Sequence, residues 1–238
     1  MRNILIIAKK EIKSYFSSAV AYVVFAMFLI LSGYFFSVIL LVTKNASLEG
    51  ALYNTTITLL FLIPLITMKL FAEERKLGTL EILMTKPVRD FEVVLGKFLG
   101  SLFFLLIMFS STLVYVFILF KYGNPDVGPI WAGYLGLFLL GACFLAVGIF
   151  ASTLTENQII AAVLSFAFIL LLWIVNWISG NLELSEKINE FLNYLSLSGH
   201  FDDFVKGIVD LKNTIFYLSF IAFWLFVTTK SVGVRKWK

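Results

Sequence analysis

The chain has 238 residues, 60% hydrophobic and only 14% charged, with a mean hydropathy of +0.95; soluble domains normally carry about a quarter charged residues, so a soluble fold is excluded. Its net charge of +4 does not form a nucleic-acid footprint, because the lysines and arginines sit at the ends of apolar runs and not on one basic face. The lone Cys143 lies inside an apolar run, which rules out an intrachain disulfide and reads as a buried packing residue.

In chain order, residues 1–16 place Leu5, Ala8, Ile12 and Tyr15 on one helical face, with Lys9, Lys10 and Lys13 directed elsewhere. This is the pattern of a basic amphipathic helix lying on the inner membrane surface among lipid headgroups. The apolar run 19–42 exceeds the roughly 7–15 residues of a signal-peptide core and is read as a first span. A short outer loop, 44–50, leads to a second span, 51–71, in which Pro64 predicts a kink.

Residues 73–97 are the one long charged segment between two apolar runs. Leu77, Leu80, Leu83 and Met84 recur at helical spacing against Glu74, Arg75, Glu81 and Lys86, which predicts a short amphipathic helix over 74–83 that Pro87 stops. An ordinary interfacial loop is the plainer alternative. A third span, 98–120, is entered through Gly96-x-x-x-Gly100, whose small residues allow close helix approach.

The turn-rich stretch 122–129 is an outer loop, and Trp131 opens a fourth span, 131–154, carrying Gly133, Gly136, Gly141 and Gly148. Such glycines imply close packing, within the subunit or against a second copy. A tight turn at 155–158, with Glu156 as a solvated loop charge, precedes a fifth span, 159–178. In 179–213 two short amphipathic helices are expected on the outer face, one through Leu184, Ile188, Phe191, Leu192 and Leu195, the other through Phe201, Phe204, Val205, Ile208 and Val209. His200, the only histidine, is expected in a surface or capping role. The last span, 214–229, has a fully apolar part shorter than the roughly 20 residues a bilayer needs, which puts Asn213, Thr228 and Thr229 near the interfaces.

Of the 19 lysines and arginines, all but Lys44, Lys121, Lys187, Lys206 and Lys212 fall on one side of this arrangement. By the positive-inside rule that side is cytoplasmic, with both termini inside and an even number of spans. The expected fold class is therefore all-α: a polytopic protein of the cytoplasmic (inner) membrane with six transmembrane helices, an N-terminal interfacial helix, and amphipathic outer helices between the last two spans, all in one domain over 1–238.

The residues Glu74-Arg75-Lys76-Leu77-Gly78-Thr79-Leu80-Glu81, then Leu83, Pro87-Val88 and Val94-Leu95-Gly96-Lys97, resemble the signature of ABC-2 type transporter permeases, most of all the gliding-motility-associated branch. The resemblance implies that 73–97 carries a cytoplasmic coupling helix that docks on a separate ATP-binding subunit. Glu74, Arg75, Gly78, Thr79, Leu80, Glu81, Leu83 and Pro87 are then the coupling residues. It further implies a pair of ATP-binding subunits holding ATP and Mg, and a second permease subunit, identical or related, beside the first.

The residues themselves agree with an energy source outside the chain. Gly96-Lys97 is followed by Phe98 and lacks the upstream glycine of a phosphate-cradling loop. One histidine and one cysteine do not make a catalytic cluster, no metal site or resident cofactor is expected, and the expected span interiors hold no ionisable residue of the kind that ion-coupled carriers keep at mid-membrane. The two readings are a permease subunit driven by a partner ATPase, for export or force transmission, and a non-transporting membrane scaffold.

Overall fold

A computed structural model describes residues 2–79, 88–181, 194 and 196–234, with the backbone alone for 176–181. The described residues form α1 (Arg2–Phe16), α2 (Ala19–Thr43), α3 (Glu49–Thr67), α4 (Lys69–Lys76), α5 (Asp90–Tyr122), α6 (Val127–Leu154), α7 (Gln158–Asn181), α8 (Leu197–Val205) and α9 (Leu211–Val234), and contain no strand. Among them six helices are long and apolar enough to cross a membrane, with α3 and α4 counting as one run, Glu49–Lys76. Backbone groups have no water to bond inside a bilayer, so apolar runs of this length close their hydrogen bonds internally as helices.

The fourth span, α6, occupies the centre of the bundle. It packs against α3, α4, α5, α7, α8 and α9 and is buried along most of its length. Its glycines make this possible, because each sits where a β-carbon would meet a neighbour of the same chain. Gly133 faces Leu52 of α3, Gly136 faces Phe204 of α8, Gly141 faces Leu105 of α5, and Gly148 faces Thr67 of α3 and Ser165 of α7. The close packing is thus intrachain. In contrast, α2 turns Tyr22, Ile30, Tyr34 and Leu41 outward, and α9 turns out Ile215, Phe223 and Phe226, the apolar surface that a lipid environment requires.

The expected kink in the second span is a break at Met68, one turn beyond Pro64. Ser152 of α6 repairs it: its hydroxyl accepts from Phe71 N (3.0 Å) and Ala72 N (3.1 Å) and donates to Met68 O (3.2 Å). One fully buried hydroxyl therefore serves three backbone groups. Ser152→Ala, which removes the hydroxyl without adding bulk, is expected to leave those amides unsatisfied and to cost about 2–4 kcal/mol, since each buried orphan group costs roughly 1–3 kcal/mol. Thermal unfolding of the detergent-purified protein measures this loss, and an unchanged midpoint would show that the break does not depend on Ser152.

Three expectations are corrected by packing. The buried side of α1 runs through Ile7, Ala8 and Glu11, while Leu5 is 67% exposed, because the helix lies along α5 with the side facing Gly96 and Gly100 covered. His200 is buried, not superficial. It joins α8 to α9 through Asn213 Oδ1 (2.7 Å), its other ring nitrogen lies 3.1 Å from Tyr194 O ahead of α8, and its ring lies 4.1 Å from that of Phe216. The last span is longer than its apolar stretch: α9 starts at Leu211 behind Asp210, whose side chain accepts from Lys212 N and whose carbonyl accepts from Thr214 N; Asn213 is bonded by His200 and Asp203, and Thr228 and Thr229 donate to the carbonyls of Trp224 and Leu225.

Of the two amphipathic helices expected between the last spans, the second is α8. Its Phe201, Phe204 and Val205 are buried inside the bundle, and Gly207 (φ 87) ends it, which leaves Ile208 and Val209 exposed. The first, with Leu184, Ile188, Phe191, Leu192 and Leu195, lies outside the described residues, as do Lys187 and the basic C-terminal residues 235–238.

Candidate functional site

The site is built where the end of α4 meets α1 and α5. The last turn of α4 carries Glu73, Glu74, Arg75 and Lys76, and the helix then stops because Gly78 takes φ 67, a conformation that only glycine adopts readily. A β-carbon there would meet nothing within 4 Å, so the glycine serves the turn and not a close approach. The loose carbonyls of the turn are bonded by Leu77 N to Glu73 O (3.0 Å), Gly78 N to Arg75 O (3.1 Å) and Thr79 Oγ1 to Glu74 O (3.1 Å). The expected helix over 74–83 is consequently interrupted at Leu77–Gly78.

Beneath this turn four charged side chains from three helices close on one another. Lys97 of α5, 1% exposed, places its ammonium 3.0 Å from Glu11 Oε1 of α1 and 2.8 Å from Glu74 Oε2 of α4. Glu74 Oε1 in turn accepts from Lys10 of α1 at 2.8 Å. The ammonium of Lys97 also stands 5.1 Å from the centre of the Phe71 ring, a cation–π distance. Two carboxylates and two ammonium groups balance, which is the condition for burying charge at all. Burial by itself would lower the pKa of Lys10, but its hydrogen bond and charge contact with Glu74, with Glu11 beyond, outweigh that and raise it. Lys10 therefore stays protonated, and its share of the cluster is lost only at strongly alkaline pH.

Sequence-local reasons bring these groups together. Gly96 and Gly100 admit Ile7 and Glu11 of α1 so closely that a β-carbon on either glycine would fall 2.7 Å from those side chains. The Gly96-x-x-x-Gly100 pair therefore receives the amphipathic α1, not another span. Tyr15 completes the joint: its hydroxyl bonds Ile66 O (3.1 Å) and Ser101 Oγ (2.9 Å), and its ring stacks on Phe104 at 5.0 Å. Burial pushes the Tyr15 phenol far above its ordinary range, so it remains a neutral hydrogen-bonding group. At the other end of α1, Asn3 Nδ2 donates to Glu92 Oε2, which also accepts from Arg89 N at the start of α5.

Of the residues singled out from sequence, Glu74 is thus turned inward. Arg75 bridges Glu156 at 2.7 Å, tying α4 to the α6–α7 turn, so Glu156 is half of an intrachain ion pair. Leu77 is 66% exposed beside Gly78. Leu80, Glu81, Leu83 and Pro87 lie outside the described residues. Glu11 and Ser152 were not singled out; Lys10 and Tyr15 were placed only on opposite sides of an interfacial helix, and Lys97 only in the family signature. The available signal was a carboxylate, Glu11, four residues from both Ile7 and Tyr15 on one face of an otherwise apolar stripe, and a lysine wedged between two packing glycines. Among the described residues no three His, Cys, Asp or Glu side chains gather as a metal centre requires.

Comparison with known proteins places this arrangement in a family. The profile of ABC-2 family transporter proteins matches residues 5–232. The chain is 24% identical over 163 residues to a protein of Escherichia coli K12 described as a probable multidrug ABC transporter permease, YbhR, and equally to its counterpart in E. coli O157:H7. These alignments cover 68% of this chain but only 44% of the relatives, so the match extends over less than half of their length.

Proposed function

The chain belongs to the ABC-2 family of transporter proteins, and from this we propose that it is the permease subunit of an ABC transporter, a single transmembrane domain driven by ATP hydrolysis on separate subunits. The ATP-binding subunits, a pair carrying ATP and Mg, dock on the connection between α4 and α5. The resulting motion drives export or, as the likeness of the signature to the gliding-motility branch suggests, transmits force. In this reading that connection and both termini lie on the cytoplasmic side of the inner membrane, which the one-sided distribution of basic residues supports.

The observation that carries this reading is the charge cluster. A push on the α4–α5 connection acts on Glu74, which is held by Lys97 of α5 and Lys10 of α1, so three elements move with it. The outward apolar side of α2 is a surface open to a second permease subunit, as the glycines of α6 are spent inside the chain.

The test is co-expression with the cognate ATPase. Leu80→Asp and Leu83→Asp are expected to leave expression and membrane insertion intact while weakening ATPase copurification by roughly tenfold or more, because a docked leucine contributes about 1–3 kcal/mol. Stimulated ATP turnover is lost with it. If both variants retain full association and turnover, the segment is an ordinary loop; if the wild-type chain binds partners without altering ATP turnover, the scaffold reading replaces the permease one.

A further inference from the structure

Between α1, α2, α4 and α5 the structure holds a cavity of about 470 Å³. Its lining is layered. At one end stand Lys69 and Glu73 of α4 with Ser17 and Ser18 of the α1–α2 turn, while the wall beyond is made of Val20, Val24, Leu65 and Phe104. The polar end lies at the base of the second span and the apolar wall runs along the membrane-spanning parts of α2, α3 and α5, so the layering follows the depth profile of a bilayer leaflet.

The charges at the polar end decide what fits. Lys10, Glu11, Glu74 and Lys97 also reach the cavity, but they neutralise one another. Lys69 and Glu73 remain. They stand one helical turn apart on the same face of α4, with β-carbons separated by about 5–6 Å, and among the described residues neither forms an ion pair. The ammonium of Lys69 donates to Ser18 Oγ at 3.4 Å. Ser18 is the N-cap residue of α2, yet its side chain makes no capping bond; Ala21 N is taken by Ser18 O (3.1 Å), and the hydroxyl, which accepts from Lys69, keeps its own proton to give to an anionic oxygen.

We infer that this cavity binds a zwitterionic phospholipid of the phosphatidylethanolamine type, by its headgroup and the first carbons of its acyl chains. The phosphate lies against Lys69 and Ser18, the primary ammonium against Glu73, and the glycerol and upper acyl carbons against Val24, Leu65 and Phe104. An anionic headgroup without the ammonium leaves Glu73 facing negative charge. A choline headgroup has no N–H to give the Glu73 carboxylate. The inference rests on the membrane placement of the helices and not on the docking of an ATPase, so the two are tested separately.

Native mass spectrometry of the protein purified in mild detergent, from membranes containing both phosphatidylethanolamine and phosphatidylglycerol, reads the occupant directly. One phosphatidylethanolamine per chain is expected on the wild type, reduced by roughly tenfold in the K69Q/E73Q double variant as two charge-assisted contacts are lost, and unchanged in K121Q at the far end of α5. In delipidated wild-type protein, added phosphatidylethanolamine is expected to raise the melting temperature, and phosphatidylcholine or phosphatidylglycerol to leave it unchanged. Equal lipid retention by the double variant, equal retention of phosphatidylglycerol, equal stabilisation by all three lipids, or no retained lipid overturns the assignment.

Discussion

Replacing Lys97 with methionine is expected to destabilise the protein by about 3–5 kcal/mol, because it removes the cation from a buried cluster and leaves carboxylates without a counter-charge. Lys97 is the pivot of that cluster: it is 1% exposed and contacts Glu11 at 3.0 Å and Glu74 at 2.8 Å. Lys10 remains near Glu74 in the variant, but Glu11 loses the only ion-pair partner it has among the described residues. The effect is therefore that of an orphaned buried charge and not of a lost surface pair, which would be worth only about 0–1 kcal/mol.

The control is the triple variant Lys97→Met, Glu11→Gln, Glu74→Gln. It removes the three buried charges together and leaves Lys10, whose side chain is 60% exposed, to water, so most of the lost stability is expected to return, since a buried ion network exchanged for neutral groups of similar volume is often close to neutral. Thermal unfolding in detergent, combined with limited proteolysis at Lys9, Lys10 and Lys13, reads stability and the release of α1 in one series. A loss below about 1 kcal/mol for the single variant would falsify the description of the cluster as buried and mutually dependent.

The second large effect is expected from Gly96→Leu with Gly100→Leu. A β-carbon at 96 would stand 2.7 Å from Ile7 and 3.0 Å from the carbonyl of Ile4, and one at 100 would stand 2.7 Å from the β-carbon of Glu11 and 3.2 Å from the carbonyl of Ala8. Backbone carbonyls cannot rotate away as side-chain tips can, so α1 must move as a body. Each overpacked site costs about 1–3 kcal/mol, and the shift also parts Glu11 from Lys97 and Tyr15 from Ser101. Hydrogen exchange is expected to show α1 amides opening in the variant while those of α6 stay protected. Wild-type protection across α1 would mean that the helix is held by something other than this close approach.

These two experiments address a joint that was only partly visible in the chain. Gly96-x-x-x-Gly100 announced a close helix approach, but small residues on a helix say that something comes near, not what. The apolar stripe of α1 was legible as amphipathic, yet its register was misjudged around Leu5, because periodicity along one helix does not say which side a neighbour covers. The Glu74–Leu83 helix followed the leucine spacing and missed the turn at Gly78, where backbone conformation outweighs the pattern of side chains.

The sequence by itself determined the membrane class, the six apolar runs, the asymmetry of basic charge and the family signature of residues 74–97, all of which depend on composition and short-range spacing. Helix length and hydropathy are set by neighbours within one segment, so they survive without knowledge of the fold. Only the tertiary structure decided that α6 is the centre, that its glycines serve partners in the same chain, and that Lys97 is buried between carboxylates 86 and 23 positions away in sequence. An ion pair or a helix crossing is the meeting of two distant stretches, and its energy depends on their separation in space and on the water excluded there. Neither quantity can be read from either stretch alone.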